Sequence, residues 1–361
     1  MRNKILIISA LAVGVMGFNK PNWPLEVISW NIDKAYPNIE YNYRLGVIGG
    51  QYPYKFTLTT KPTGMTIDTL TGEIRWTPSG TSIDNSVIVR IDDSNNNTLT
   101  HSFSIDVDTS SFRFVAANGN NSNNGTEASP WLTMAHACTT ADSTMYCYVK
   151  AGTYNETFSV SGSRCKKYLA YPNDIVKIIG TGSTMSFNIA SSNVLFQGFD
   201  LDANNQRWLF SVDGTVLNSL TWRKNIMHNV YSTDQENPAF IFFWDGSQTP
   251  IDGEEHYKNI VIQDNIFYDL ENSYNHGGSV TLYDVQDALY ENNVVYDIDG
   301  RGINDKDDGY RNTFRNNVIH DCTRMGIALQ CQGTQGSIDI NNNLIYKCYS
   351  GVLIGSQPGY I

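Results

Sequence analysis

Residues 289–321, LYENNVVYDIDGRGINDKDDGYRNTFRNNVIHD, contain one sequence pattern twice. LYENNVVYD and TFRNNVIHD share an aromatic residue, an asparagine three positions later and an aliphatic residue two positions after that. Segments of the same form occur at VLFQGFDLD (194–202), TWRKNIMH (221–228), IVIQDNIFYD (260–269) and IDINNNLIYK (338–347). The intervals are 24 to 28 residues, apart from one of 40 residues. Such a period predicts supersecondary units that stack on one another.

The six segments align into three columns of equivalent residues. The reference column is Phe199, Asn225, Asn265, Asn293, Asn317 and Asn343. Three residues earlier stand Phe196, Trp222, Ile262, Tyr290, Phe314 and Ile340, and two residues later stand Leu201, Met227, Phe267, Val295, Ile319 and Ile345. Stacked parallel coils place like side chains on like, so the apolar columns predict an inward face. The asparagines predict an internal ladder of hydrogen-bonded amides. The long interval predicts an inserted loop between Asp245 and Tyr257.

Length and composition favour an elongated protein with more than one domain. The chain has 361 residues, of which only 17% are charged, and its many Gly, Asn, Ser and Thr residues suit short strands and turns. The net charge of −11 argues against nucleic acid as a partner, because phosphates would be repelled. An anionic polymer would need a local cation or basic patch to be held.

The N-terminal residues 1–17 have the form of a signal peptide. Arg2 and Lys4 precede an apolar run from Ile5 to Val15, and Val15-Met16-Gly17 supplies small residues for cleavage. The run is too short for a comfortable membrane span, and no other segment of the sequence is a candidate. We therefore expect a secreted or cell-surface protein that is not embedded in a membrane.

Export makes the six cysteines candidates for disulfide bonds. Cys138 and Cys147 are near in sequence and could close a small loop. Cys322 and Cys348 occupy the same position in successive repeats, and coils about 4.8 Å apart would bring them within reach of each other. No CxxC pair is present, so the cysteines do not have zinc-site spacing.

Residues 18–109 are predicted to form a separate β-sandwich. PTGMTID (62–68) and TGEIRWTP (71–78) alternate strands with glycine turns, and Ser86–Asp92 and His101–Val107 alternate like closing strands. This segment resembles the immunoglobulin- or cadherin-like modules of secreted bacterial proteins. The resemblance implies a fold and a spacer or adhesion role.

Residues 112–361 are predicted to form the repeat domain. NGTEASPWLT (124–133), a short helix over Met134–Thr140 and a strand from Tyr146 ending in AGTY (151–154) resemble the first coil of right-handed parallel β-helix proteins of the pectate lyase-like superfamily. The helix would cover the open, apolar end of the stack. The expected fold is thus all-β, a right-handed parallel β-helix with an N-terminal β-sandwich.

A second strand in each repeat predicts a groove. AFIFFWD (239–245), SVTLYD (279–284), GINDK (302–306), GIALQ (326–330) and GVLIG (351–355) align with one another. Two columns would face inward: Ile241, Val280, Ile303, Ile327 and Val352, then Phe243, Leu282, Asp305, Leu329 and Ile354. The outward column would be Trp244, Tyr283, Lys306, Gln330 and Gly355. Aromatic faces pack on pyranose rings and polar groups bond hydroxyls, so this row predicts a polysaccharide groove.

Asp305 breaks an otherwise apolar column, within the charged stretch Asp305-Lys306-Asp307-Asp308-Gly309. A buried carboxylate is costly unless it is paired or binds a metal. Asp305 should therefore meet Lys306 or a cation, or lie at a β-bulge. A plain charged turn is the other interpretation of this stretch.

The same stretch resembles the lysine coil of alginate lyase and chondroitinase B-type polysaccharide lyases. The resemblance implies Lys306 as the base of a calcium-assisted β-elimination on an acidic polysaccharide. Asp305, which breaks the apolar column, is a second catalytic candidate. Asp307, Asp308 and Asp299 are the candidate Ca²⁺ ligands. Where those lyases have an arginine in an LxLRHG strand, this chain has Gln330; Arg301, Arg311 or Arg324 could replace it, and Arg324 is included with the catalytic candidates.

Two alternatives remain open at this stage. A polygalacturonase-like hydrolase could use paired carboxylates, although only NHGG at 275–278 faintly matches that family, which makes His276 a substrate-binding candidate. A non-catalytic, tail-spike-like adhesive β-helix would have the same groove. The sequence has no evident C-terminal cap, so we also expect a partner chain or oligomerisation through that end.

Overall fold

The structure is a computed structural model that describes residues 23–213, 216–233, 237–244, 257–306, 309–330 and 338–355. These residues form an N-terminal domain of antiparallel sheets followed by a long stack of parallel strands. No helix in these ranges is long and apolar enough to cross a membrane. The predicted signal peptide and the predicted insertion at 245–256 lie outside the described residues.

The N-terminal domain encloses its own apolar core between a four-stranded and a three-stranded sheet. In spatial order, the four-stranded sheet contains Lys34–Ala35, Thr98–Val107, Ser82–Asp92 and Lys55–Thr60. The three-stranded sheet contains Tyr41–Arg44, Glu73–Trp76 and Thr66–Ile67, and a small pair joins Glu26–Val27 to Val47–Ile48. Val87, Val89 and Ile91 alternate inward along one strand and are fully buried. This is the alternation that the sequence predicted.

The repeat domain consists of three parallel sheets that run the length of the stack. The first sheet contains Phe112–Val115, Tyr146–Val149, Lys167–Ala170, Val194–Gln197, Leu217–Arg223, Tyr257–Gln263, Val285–Glu291, Thr313–Arg315 and Asp339–Asn341. The second contains Gly152–Glu156, Val176–Gly180, Asp200–Gln206, Ile226–Ser232, Ile266–Asn272, Val294–Ile298, Val318–Cys322 and Leu344–Tyr346. The third contains Phe158–Ser161, Met185–Ala190, Trp208–Asp213, Ala239–Trp244, Gly277–Tyr283, Gly300–Lys306, Met325–Gln330 and Ser350–Ile354.

The asparagine ladder is confirmed. Asn293 Nδ2 donates to Asn317 Oδ1 at 3.1 Å, and Asn293 Oδ1 accepts from Asn265 Nδ2 at 3.0 Å. Each amide also donates to a backbone carbonyl of the preceding coil, as Asn293 does to Ile262 at 2.9 Å. The same bonds link Asn225 to Asn265 and Asn317 to Asn343. The ladder satisfies backbone groups where the chain turns from the first sheet to the second.

The predicted apolar columns are confirmed as well. Trp222 pairs with Ile262, Ile262 with Tyr290 and Tyr290 with Phe314 in the first sheet. The column that begins with Leu201 and Met227 is in register through the second sheet. In each of five coils, one residue in or just after the second-sheet strand has a left-handed backbone conformation. These residues are Asn229, Asp269, Asp297, Asp321 and Lys347, with φ between 52° and 67°. Asn and Asp tolerate this conformation best among residues with a Cβ, which explains their frequency in the repeats.

The helix Met134–Thr140 covers the N-terminal end of the stack, as predicted. Thr133 is its N-cap and accepts a hydrogen bond from His136 N, while the Glu156 carboxylate accepts from Met134 N at 3.0 Å and Ala135 N at 2.8 Å. Together these acceptors satisfy backbone donors that the helix itself cannot pair.

The two domains are joined by a buried interface rather than by a free linker. Phe112 and Tyr146 of the first sheet belong to the apolar core of the N-terminal domain. Arg44 of that domain forms an ion pair with Glu291 of the β-helix at 3.0 Å. The N-terminal domain is therefore packed against the outer face of the first sheet.

The described cysteines are unbonded. Cys138 Sγ lies 2.8 Å from the Tyr168 hydroxyl, so the loop considered for Cys138 and Cys147 is not closed. Burial raises the pKa of the Cys147 thiol well above its ordinary value. Cys322 and Cys348 lie in adjacent coils without a covalent link, and their thiols donate to the His320 and Tyr346 carbonyls at 3.7 and 3.5 Å. Cys331 lies outside the described residues.

Candidate functional site

The outer face of the third sheet brings together most of the predicted groove residues. Tyr283 pairs with Lys306, and Lys306 pairs with Gln330, in adjacent strands. Trp244 ends the strand of the preceding coil and is 39% exposed. The first sheet cannot serve in this way, because the N-terminal domain packs against its outer face.

Four aromatic rings form a continuous patch at one end of this face. Trp208 stacks on Phe242 with ring centroids 4.7 Å apart, and Phe242 stacks on Trp244 at 5.9 Å. Tyr283 contacts both Phe242 and Trp244 edge-on, at 5.8 and 6.2 Å. Trp208 and Phe242 were not among the predicted residues. Aligning WLFSVD (208–213) with the third-sheet strands would have identified Trp208.

Lys306 adjoins the aromatic patch. Its Nζ donates to the Tyr283 hydroxyl at 2.9 Å and lies 4.9 Å from the centre of the Tyr283 ring. Asn237 Nδ2 donates to the same hydroxyl at 3.0 Å, and Asn237 Oδ1 lies 3.5 Å from Lys306 Nζ. Asn237 precedes its strand in an irregular segment, so the repeat alignment carried no signal for it. The Tyr283 oxygen thus accepts from an ammonium and an amide.

Arg301 lies on the same outer face as Lys306. With the Gln330 amide oriented to satisfy both groups, the Gln330 oxygen accepts from Arg301 at 3.1 and 3.2 Å. Arg301 Nη1 also donates to the His276 carbonyl at 3.4 Å. Burial, and secondarily the nearby Arg324, lower the pKa of Arg301 to about 10, while Tyr283 acts in the opposite direction. Arg301 is therefore a buried cation held by the Gln330 oxygen and the His276 carbonyl.

The structure separates the three arginines that the sequence left as equivalent candidates. Arg311 forms ion pairs with Glu26 and Asp287 beside the N-terminal domain, away from the groove. Arg324 donates to the Tyr274 carbonyl at 3.4 Å, at the edge of the third sheet where its strands begin. Lys306 lies at the opposite edge, where its strand ends, so Arg324 is far from Lys306. The Arg301 guanidinium contacts Gln330, which pairs with Lys306 in the adjacent strand.

Asp305 faces the interior of the coil. It is fully buried, in register between Leu282 and Leu329, and accepts a hydrogen bond from Asn312 Nδ2 at 3.1 Å. The ladder is regular at this position, so the proposed bulge is wrong. Because Asp305 and Lys306 lie on opposite faces of one strand, Asp305 is not placed to contact a substrate in the groove.

Two buried polar side chains lie in the column between Arg301 and Lys306. Thr281 and Asn304 are paired across adjacent strands and are fully buried. The Thr281 hydroxyl and both polar atoms of the Asn304 amide have no hydrogen-bond partner among the described residues. Buried unsatisfied groups cost free energy, and natural proteins retain them mainly at functional positions.

Of the predicted calcium ligands, the structure describes only Asp299. Asp299 precedes Gly300–Lys306 and its carboxylate accepts from Asn272 N at 3.3 Å. A seven-residue strand spans roughly 20 Å, so an ion at Asp299 would not reach the Lys306 end. Asp307 and Asp308 lie outside the described residues. Within the described ranges no three His, Cys, Asp or Glu side chains form a metal-binding group.

A second cleft, of about 300 Å³, lies between the two domains and is bordered by Lys34, Arg75 and Lys224. Each of these cations already has an acidic partner: Lys34 pairs with Asp106, and the other two pair with Glu73. The groove on the third sheet is the better candidate, because it places the exposed Trp244 ring beside Tyr283 and Lys306.

Comparison with known families agrees with the two-part architecture. Residues 26–108 match the family described as "Putative Ig domain", and residues 225–361 match the family described as "Right handed beta helix region". The chain is an all-β protein in which an immunoglobulin-like domain precedes a right-handed parallel β-helix. No curated protein is significantly similar to the chain.

Two solved structures are distantly similar. One is described as "Rhamnogalacturonan lyase", with 12% identity and a TM-score of 0.38 over 64% of this chain and 72% of that chain. The other is described as a "putative alpha-galactosidase" from Bacteroides fragilis, with 14% identity and a TM-score of 0.24 over 45% of this chain and 39% of that chain. Similarity at this level carries no argument about activity.

Proposed function

We propose that the protein is exported and cleaves a uronic-acid-containing polysaccharide by β-elimination on the outer face of the third sheet. The observation that supports this most directly is the row Trp244, Tyr283, Lys306 and Gln330, in which aromatic rings adjoin a lysine. Aromatic rings pack on the apolar faces of pyranose rings, and a lysine can serve in proton transfer. The groove therefore combines sugar binding with a group able to carry out the elimination.

The reaction removes the proton at C5, beside the uronate carboxylate, and expels the oxygen at C4. Lys306 takes the C5 proton as a neutral amine. Arg301 contributes positive charge that stabilises the carboxylate as negative charge spreads onto it. A chain with a net charge of −11 repels anionic polymers in general, so these local cations decide where such a polymer binds.

Calcium at Asp307 and Asp308 remains an expectation from the sequence, and none of these steps requires it. The residues that hold the substrate are Trp244 and Tyr283, and the almost completely buried Arg301 acts on it through its charge. Gln330 orients the Arg301 guanidinium, and His276 contributes its carbonyl to the same guanidinium.

A non-catalytic glycan-binding protein is the second candidate. The Tyr283 ring face and hydroxyl both contact the Lys306 ammonium. Such contacts favour a charged lysine, which binds anions but does not accept a proton. This alternative uses the same groove and predicts binding without turnover.

The test is incubation of the protein with alginate, polygalacturonate, chondroitin sulfate and dermatan sulfate, with and without a chelator. Ultraviolet absorbance from the unsaturated product would support β-elimination, and Lys306→Ala should abolish it. Lys177→Ala is the matched control, because Lys177 pairs with Asp202 on the second sheet. New reducing ends without absorbance would indicate hydrolysis instead. Binding with neither product would leave the glycan-binding candidate.

A further inference from the structure

The contact between Lys306 and Tyr283 joins two groups that can both exchange protons. Lys306 Nζ lies 2.9 Å from the Tyr283 hydroxyl oxygen, a distance at which a proton passes along a hydrogen bond. Asn237 Nδ2 fixes the same oxygen at 3.0 Å, and the Tyr283 ring packs against Trp244 and Phe242. The hydroxyl is therefore held in place by a polar contact on one side and by ring packing on the other.

From this geometry we infer that Tyr283 is the general acid of the reaction, donating its phenolic proton to the leaving oxygen at C4. The inference rests on the proposed function and assigns a catalytic role to a residue first considered only as a sugar-binding ring. Gln330 cannot take this role, because a carboxamide has no proton to give at neutral pH. Arg301 has a different role, because its guanidinium already donates to the Gln330 oxygen and to the His276 carbonyl.

The proposed step balances without any other reactant. The Lys306 amine removes the C5 proton, the C5 electron pair forms the C4–C5 double bond, and the C4–O bond breaks as the oxygen takes the Tyr283 proton. The products are an unsaturated uronate, a free hydroxyl on the leaving sugar, a Lys306 ammonium and a Tyr283 phenolate. Transfer of one proton from Lys306 to Tyr283 along their hydrogen bond then restores both residues.

Two hydrogen-bond donors to the Tyr283 oxygen would stabilise the phenolate that forms during the reaction. The Lys306 ammonium and the Asn237 amide both donate to Tyr283 Oη, so they stabilise the negative charge that the phenolate carries after it has lost its proton. Arg301 adds a second positive charge, because its guanidinium lies close enough to Tyr283 for the two groups to interact electrostatically. The arrangement lowers the free energy of the intermediate state, in which Lys306 is an ammonium and Tyr283 is a phenolate.

The test is the variant Tyr283→Phe, which keeps the ring and removes only the hydroxyl. On the polysaccharide that the wild-type protein cleaves among the four named above, we expect kcat to fall about 100-fold or more with KM changed less than about threefold. Tyr296→Phe is the matched control, because Tyr296 stacks between Tyr268 and His320 on the second sheet. Its kcat should equal that of the wild type.

A second substrate separates an acid from a merely structural residue. A synthetic uronate with a p-nitrophenoxy group at C4 has a leaving group that departs without protonation. On this substrate Tyr283→Phe should recover most of the wild-type rate, whereas Lys306→Ala should remain inactive. An equal loss on both substrates would overturn the role of Tyr283 while leaving the lyase proposal intact. Absence of unsaturated product from the wild-type protein on every substrate would overturn the lyase proposal and this inference together.

Discussion

Arg315 donates a hydrogen bond of 2.7 Å to Glu291 inside the interface between the two domains, where both side chains are almost completely buried. Arg44 approaches the second carboxylate oxygen of Glu291 at 3.0 Å, and Arg315 also donates to the Val47 carbonyl at 2.9 Å. One carboxylate of the β-helix thus holds two arginines, one from each domain. The charges are paired and hydrogen-bonded, which is the condition under which buried ions are tolerated.

Glu291→Ala should strongly destabilise the protein. Removal of the carboxylate leaves Arg44 and Arg315 buried without their main partner, and such a loss costs about 3–5 kcal/mol. Urea denaturation measures the change in the free energy of unfolding. Glu40→Ala is the control: Glu40 pairs with Arg75 at 3.1 Å on the surface, where a salt bridge contributes about 1 kcal/mol or less. Equal effects of the two variants would contradict a structural role for the buried cluster.

The same cluster predicts a loss of stability in acid. Burial opposes ionisation of Glu291, but Arg315 and Arg44 outweigh burial and lower its pKa below the ordinary value of 4.5. A carboxyl group with a lowered folded-state pKa stabilises the protein above its unfolded pKa and loses that contribution as the pH falls through the folded value. The melting temperature should therefore fall as the pH drops below about 4.5. Glu291→Gln should show a shallower fall over this range; an unchanged slope would count against the assignment.

The repeat was predictable because it is local and periodic. Asn265, Asn293 and Asn317 each stand in a short pattern with fixed apolar neighbours, so an alignment of the chain with itself predicts the ladder and its register. The contact between Arg44 and Glu291 joins distant parts of the chain. The sequence around either residue contains no repeat or motif that would predict the other as its partner. The direction of a long side chain also cannot be predicted from the repeat. For this reason the sequence did not distinguish Arg301, Arg311 and Arg324 as replacements for the family arginine.

The ladder predicts a gradient of stability effects. Asn293 donates to Asn317 and Ile262 and accepts two hydrogen bonds from Asn265. Asn293→Ala therefore leaves several buried groups unsatisfied and should cost about 3–5 kcal/mol. Asn343 accepts two hydrogen bonds from Asn317 and donates one to the Phe314 carbonyl, but it is partly exposed. Water can replace part of what is lost, so Asn343→Ala should cost about 1–2 kcal/mol. Urea denaturation of both variants checks the order, and a larger effect at Asn343 would contradict the ladder's role.

The aromatic patch predicts where glycan affinity resides. Trp244→Ala removes an exposed ring from the groove and should weaken binding of the cleaved polysaccharide about fivefold to tenfold, since an aromatic contact contributes about 1 kcal/mol. Isothermal titration on the Lys306→Ala background measures binding without turnover. Tyr231→Ala is the control, because Tyr231 is similarly exposed, at 42%, but lies on the second sheet. A loss at Tyr231 with none at Trp244 would place the binding surface elsewhere.

Cys322 and Cys348 predict a response to oxidation. The neighbouring Cys322 thiol lowers the pKa of Cys348 below its ordinary value, whereas burial raises the pKa of Cys138 far above neutral. A thiolate is the reactive form, so Cys348 should react first with a disulfide reagent at neutral pH. Because Cys322 occupies the equivalent position in the adjacent coil, mild oxidation should join the two. Closing a loop of this length stabilises by about 3 kcal/mol in the chain-entropy description.

Mass spectrometry should identify the linked peptides, and the melting temperature of the oxidised protein should exceed that of Cys348→Ser under the same conditions. Modification of Cys138 before Cys348 would contradict the assignment.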